Sequence, residues 1–297
     1  MKSKLCQEHY MQAMATLTNE ESLRLIAKSV AALHTVKQAR ENGHIGFSLC
    51  SSAAFIIQEL LGKDSVDPSK YCCGFIHSRG SCSVPPVHRE KLLLLEKGSP
   101  HWLNFPDEKI TPYFDQMTKH DIIIKSGNIL DPFGKAGVLV ASPDGGEAGA
   151  YLPQIAARGI QLIVPMSISK TVPLPLEEII PHMGILKFAS DRVHGMACGM
   201  LALPGKVVTE IDALKTLFDV KAIPAALGGV GSGVGTVTLV LIGEDQAVES
   251  AWEMINHIKG EKKLSNYFSK CKDCLDGKLK SGSARCSTRL KSNPNFS

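Results

Sequence analysis

No stretch of the 297-residue chain is apolar for long enough to span a bilayer: the longest runs, Thr236–Ile242 and Leu92–Leu95, fall far short of the ~20 residues a membrane helix needs. No secretory leader is expected in the opening MKSKLCQEHYMQAM, because Gln7, Glu8, His9 and Gln12 interrupt it before any apolar core forms. Internal repeats and low-complexity tracts are absent. With 44% hydrophobic and 21% charged residues, the chain is too apolar for a disordered protein and ordinary for a globular one. Nine cysteines are an odd count in a chain too long to need stapling, so reduced thiols in the cytoplasm are expected rather than a disulfide framework.

Charge of one sign is scarce except at the end. Residues 261–297 hold seven Lys and two Arg against Glu261, Asp273 and Asp276, a net +6, while the whole chain is only +4. The body shows no sign of a nucleic-acid binder, and the tail, poor in apolar periodicity, reads as a loosely attached basic extension. Within it Cys271, Cys274 and Cys286 are weak metal candidates: Cys271 and Cys274 have the two-residue spacing of zinc sites, but a fourth ligand is lacking locally.

What is present is alternation of strands and helices. Thr18–Glu41 reads as one helix, with Thr18 or Asn19 at its start and Leu23, Leu25, Ile26, Val30, Leu33 and Val36 at helical spacing. A strand over His44–Leu49 turns through Cys50-Ser51-Ser52 into a helix over Ala53–Leu61, stopped by Gly62. Further strands are expected near Tyr71–Ile76, Lys91–Glu96, Asp121–Lys125, Gly137–Ala141 and Gly159–Pro165, with a helix over Ala148–Arg158. Short, nearly continuous apolar strands separated by helices imply a doubly wound, mostly parallel, Rossmann-like α/β sheet to about residue 190. Residues 191–260 read as a smaller α+β domain, with strands at Cys198–Leu203, Val220–Leu227 and Thr236–Gly243 and helices at Thr209–Phe218 and Asp245–Ile258. The glycine-rich stretch Leu227–Gly235 joins two strands, so it reads as a hairpin or lid rather than a phosphate loop.

Three loops carry chemistry. Ile45–Ser52 leads a strand into a helix whose first amides point outward; Ser48, Ser51 and Ser52 add hydroxyl donors suited to a phosphate or carboxylate, or else cap the helix. Lys125-Ser126-Gly127-Asn128-Ile129-Leu130-Asp131-Pro132 follows three isoleucines, and side chains beyond the carboxyl end of a strand are placed to meet a ligand. Lys125 would neutralise charge and Asn128 orient the ligand; Asn128 and Asp131 could equally be turn formers. Ser142–Gly149 is a glycine-rich loop entering a helix, where Gly145 and Gly146 let backbone amides approach an anion and Asp144 and Glu147 are acid/base candidates.

In order and spacing these three segments resemble the superfamily of ribose-5-phosphate isomerases, glucosamine-6-phosphate deaminases and coenzyme A transferases, over roughly residues 20 to 260. Ser51 and Ser52 fall on the Ser-Thr pair of the isomerase phosphate loop, Gly46 falls on its first glycine, and Asp131-Pro132 resembles the Asp-Pro that closes its aspartate-bearing segment. Ser48 and Cys50 stand where that loop has glycines, and Lys125 and Asn128 stand where the isomerases have aspartates. The resemblance implies a cleft for a small anionic metabolite, isomerase-like or acyl-coenzyme A chemistry and self-association. With the isomerase aspartates replaced, Glu147 is the expected general acid/base, beside Lys125 and Asn128. A metabolite sensor acting through a partner, and a metal or redox protein using the tail cysteines, are the alternatives. No cofactor is indicated.

Overall fold

A computed structural model describes residues 10–77, 80–84, 88–189 and 192–265. The described residues form a mixed α/β fold of seven α-helices and four sheets. The largest sheet has six strands: β2 (His44–Phe47), β5 (Leu92–Glu96), β6 (Ser99–Leu103), β7 (Ile122–Ile124), β10 (Gln161–Pro165) and β12 (Lys206–Val208). Their order is β12-β10-β7-β2-β5-β6. The first four run parallel, whereas β5 and β6 are antiparallel additions at one edge. The sheet is therefore mixed. Ile45, Phe47 and the three isoleucines of β7 are fully buried, as continuous apolar strands covered on both faces must be.

A second sheet joins β1 (Tyr10–Leu17), β14 (Val237–Glu244) and β13 (Lys221–Leu227) in the order β1-β14-β13, all antiparallel. Two smaller sheets complete the set: β8 (Ile129–Leu130), β9 (Ala136–Val140) and β11 (Gly199–Leu203); and the hairpin β3 (Gly74–His77) with β4 (Gly80–Ser83). The expected boundary near residue 190 is crossed by this pairing. Strand β11 pairs with β9 and β12 with β10, while β1, from the N-terminal side, pairs with β14.

The expected helix Thr18–Glu41 is two helices, α1 (Asn19–Ala32) and α2 (His34–Asn42), separated at Leu33, whose ψ of 133° leaves the helical region. Helix α1 opens with a capping box in which the Thr18 side chain accepts from the Glu21 amide and Glu21 accepts from the Thr18 amide. It packs against both α3 (Ser51–Leu61) and α6 (Glu210–Phe218), so one continuous core underlies the large sheet and the three-stranded one. Helices α4 (Gly146–Arg158), α5 (Leu176–Ile179) and α7 (Asp245–Ile258) complete the fold. No helix among the described residues is long and apolar enough to cross a membrane.

The start of the tail is docked rather than loose. Glu261 pairs with Arg24, the Leu264 amide donates to Glu20 and the Ser265 amide donates to Ser69. Cys271, Cys274 and Cys286 lie outside the described residues, among which no cluster of His, Cys, Asp or Glu could hold a metal ion. The glycine-rich stretch is a hairpin connection between β13 and β14, closed by Thr236 Oγ1 donating to the Gly228 and Gly233 carbonyls.

Candidate functional site

In an open α/β sheet, ligands favour the crevice beyond the carboxyl strand ends where neighbouring connections leave in opposite directions. Here that point lies between β2 and β7. From β2 the chain runs through α3 towards β5 on one side; from β7 it runs through α4 to β10 on the other. The first residues past the two strands are Ser48 and Lys125, and they meet. Lys125 Nζ donates to Ser48 Oγ at 2.9 Å and to Glu147 Oε2 at 3.1 Å. Ser48 Oγ donates to the same carboxylate oxygen in a short contact, and the Leu49 amide donates to Glu147 Oε1 at 3.3 Å. Three donors from the ends of two strands thus converge on one carboxylate.

Glu147 is delivered by backbone chemistry that only glycine permits. Gly145 caps α4 in the left-handed region at φ +76°, where a side chain would be strained. At Gly149 a Cβ would sit 1.9 Å from the Asp144 carbonyl oxygen, so the loop folds back against the helix only because that atom is missing. The result places Glu147 in the first turn of α4, where the helix dipole also favours a negative charge.

All three side chains are buried, with Ser48 at 0%, Lys125 at 7% and Glu147 at 9% exposure. An ammonium carries three protons, and Lys125 has two of them on Ser48 and Glu147. Beneath them, Tyr71 accepts from the Leu93 amide and donates to the Phe47 carbonyl, both at 3.1 Å. Tyr151, one turn after Glu147, buries its hydroxyl beside that carboxylate. Burial first, and the negative Glu147 second, push its phenol well above the usual range, so it stays protonated.

The α3 start differs from the capping alternative. Cys50, and neither Ser51 nor Ser52, occupies the N-cap. Ser52 instead donates across to Ser126 at 3.3 Å, and Ser126 donates to the Pro165 carbonyl at 2.8 Å, tying the ends of β2, β7 and β10 together. Burial raises the Cys50 thiol pKa, against the pull of the Ser126 and Ala53 amides and the Lys125 charge. Cys50 is thus a protonated thiol at the crevice edge, and Ser51 is half-buried on the same turn.

The remaining sequence candidates point elsewhere. Asn128 Oδ1 accepts from the Leu139 amide at 2.9 Å, pinning the turn into β9. Asp131 accepts from the Phe133, Lys135 and Leu176 amides, the turn-forming role weighed against ligand contact. Asp144 is exposed and accepts from the Gly146 amide. With Gly145 it borders a largely apolar recess of about 460 Å³ that includes Val140, Leu152 and Leu201 and lies beside the Glu147 loop. A larger groove of about 800 Å³ lies elsewhere, along Arg24, Lys28, Lys63 and Lys259–Leu264, and contains none of the converging trio.

Sequence reading missed Lys170, which ends the turn after β10 and donates to the Gly127 carbonyl at 2.9 Å. The signal was there: a cation just past an apolar strand is the same cue that singled out Lys125. Tyr71 and Tyr151 had no local cue, since only the fold brings them beneath Ser48 and Glu147. No family model, no curated protein and no solved structure matches this chain.

Proposed function

We propose that the crevice between the ends of β2 and β7 binds a small phosphorylated or carboxylated metabolite and that Glu147 exchanges a proton with it. The observation that carries this reading is the convergence of Ser48, Lys125, Glu147 and the Leu49 amide at the point where the strand connections diverge. A carboxylate held by three donors has a fixed orientation, which general acid/base work requires. Lys125 keeps one proton for a ligand oxygen. The amides opening α3 point towards the same crevice and favour an anion there. The apolar recess beside Asp144 and Gly145 is placed for the uncharged part of the ligand.

This reading carries with it the doubly wound, Rossmann-like view of the large sheet and the resemblance to the sugar-phosphate isomerase and coenzyme A transferase superfamily. The reaction is then proton transfer beside a carbonyl, as in aldose–ketose isomerisation, or acyl-group chemistry, carried out in the cytoplasm by a self-associating chain. Replacement of the isomerase aspartates by Lys125 and Asn128 favours a charge arrangement of its own rather than a copied one.

The second reading is a metabolite sensor without turnover, favoured by the near-complete burial of the trio. A thermal-shift screen against sugar phosphates, carboxylic acids and coenzyme A thioesters tests the common part, since a ligand at 100 times its Kd adds roughly 2.7 kcal/mol. Glu147→Gln then separates the two. An enzyme keeps the shift and loses turnover; a sensor shows no turnover in the wild type either. A screen without any shift rejects both.

A further inference from the structure

Two charged side chains at the same strand ends have no part in the proton transfer assigned to Glu147. Glu210 opens α6 just past β12 and is wholly buried. Its Oε2 accepts from the Ile168 amide at 3.0 Å, while Oε1 is buried without a hydrogen-bond partner among the described residues. A buried carboxylate oxygen in that condition is costly unless it serves an incoming donor. Across from it, Lys170 uses one proton on the Gly127 carbonyl and has no other side-chain partner among the described residues. The two lie within charge reach of each other, yet burial still holds the Lys170 pKa below the usual lysine range. A lysine so placed has more of its neutral, nucleophilic amine than a solvated one.

We propose that Lys170 captures a ligand carbonyl as an imine, with Glu210 carrying the protons; this rests on the reading that the crevice admits a small carbonyl-bearing anion. The amine nitrogen adds to the carbonyl carbon, and the C=O π pair moves to oxygen. The proton shed by nitrogen passes through Glu210 to that oxygen, giving a carbinolamine. A second transfer by the same route expels the oxygen as water and leaves a C=N bond. Amine and carbonyl enter, imine and water leave, and no redox partner is required. The Gly127 carbonyl positions the amine, and Lys125 on the neighbouring strand end neutralises the ligand's phosphate or carboxylate.

The test is reductive trapping on the full chain. Protein is incubated separately with pyruvate and with dihydroxyacetone phosphate, reduced with borohydride and mapped by peptide mass spectrometry. Lys170 is expected to take the label in preference to surface lysines. Lys170→Arg abolishes that label, and Glu210→Gln slows its formation roughly 100-fold, the scale of lost general acid/base help. Should Glu210→Gln fail to fold, Glu210→Asp, which keeps a carboxyl but draws it back by one methylene, is expected to slow labelling by a smaller factor, and undiminished labelling there overturns the imine equally. Label spread evenly over surface lysines, or labelling undiminished in a folded Glu210→Gln, overturns the imine. Thermal stabilisation by either probe with no Lys170 label overturns it while leaving the metabolite crevice standing; absence of both stabilisation and label rejects the two together.

Discussion

Arg24 and Lys125 are both buried cations beside carboxylates, and they differ in how fully their protons are taken up. Arg24 Nε and Nη2 donate to Glu261 at 2.8 and 3.1 Å, Nη1 donates to Glu59 at 2.8 Å, and Nη2 also reaches Gln58 at 2.6 Å. Its guanidinium lies 4.7 Å from the centre of the Phe55 ring. The group is nearly saturated, and it fastens α1, α3 and the chain past α7 to one another. Lys125 is tied to Glu147 and Ser48 at the open ends of parallel strands and keeps a donor in reserve. A saturated cluster is a fastener; an unsaturated one at a strand end can do chemistry. The larger groove borders the fastener, so size alone points to the wrong region.

The comparison predicts separable losses. Arg24→Met leaves Glu261 without its partner and Glu59 with Lys28 alone, and breaking a buried pair from one side costs about 3 kcal/mol or more. Chemical denaturation should show that loss, while ligand-induced stabilisation of the variant stays at the wild-type increment. An Arg24→Met protein that loses the increment as well would make the fastener part of the binding site.

Lys125→Met is expected to cost less, about 2 kcal/mol, because Glu147 retains Ser48 and the Leu49 amide. Its signature is loss of ligand-induced stabilisation. Glu147→Gln is isosteric but leaves one acceptor oxygen for Ser48 and Lys125 and turns an NH2 towards the Leu49 amide, so it should cost about 2 kcal/mol and lose turnover while keeping ligand-induced stabilisation. Equal loss of binding and turnover in both variants would show that the trio holds the fold together rather than the ligand.

Acid should find the fastener first. Burial alone would raise the Glu261 carboxyl, but hydrogen bonds and charge from Arg24 hold it below its usual 4.5. Burial likewise opposes, and the Thr18 amide, Lys259 and the Gly260 amide overcome, the shift at Glu21, which also lies below 4.5. The unfolded chain takes up these protons at higher pH than the folded one, so the stabilisation is complete well above pH 4.5. It is lost as pH falls through the depressed folded values. Urea midpoints measured from pH 6 down to pH 3 should fall, with a shallower slope in Glu261→Gln. An unchanged slope would remove Glu261 from the acid response.

Much of this was legible in the chain. The strands at 122–124 and 161–165, the helices at 210–218 and 245–258 and the glycine-led start of α4 follow from apolar runs, periodicity and capping residues, all of which are local. Ser48, Lys125 and Glu147 were each named because they flank such elements. Their meeting was not legible, since it depends on β2 and β7 being neighbours, which long-range pairing decides. The same holds for β1: its outer positions alternate with core ones, but its partner lies 220 or more residues away at β14. The antiparallel edge formed by β5 and β6 was hidden for a related reason, as four consecutive leucines read alike in either direction.

The smallest expected effect sharpens the boundary of the site. Asn128 has the position of a ligand contact, three residues past Lys125, yet its amide oxygen accepts from the Leu139 amide and its own amide donates to the Gly137 carbonyl at 2.7 Å. Asn128→Ala removes the first bond and leaves the backbone one, so about 1 kcal/mol of stability is expected to go. If its role is to hold the turn into β9, ligand-induced stabilisation of the variant matches the wild type once the baseline is subtracted. If Asn128 touches the ligand, the increment itself shrinks, because a lost contact acts on the bound state alone. Comparing the two increments therefore decides whether the crevice ends at Lys125 or extends along the loop to Asn128.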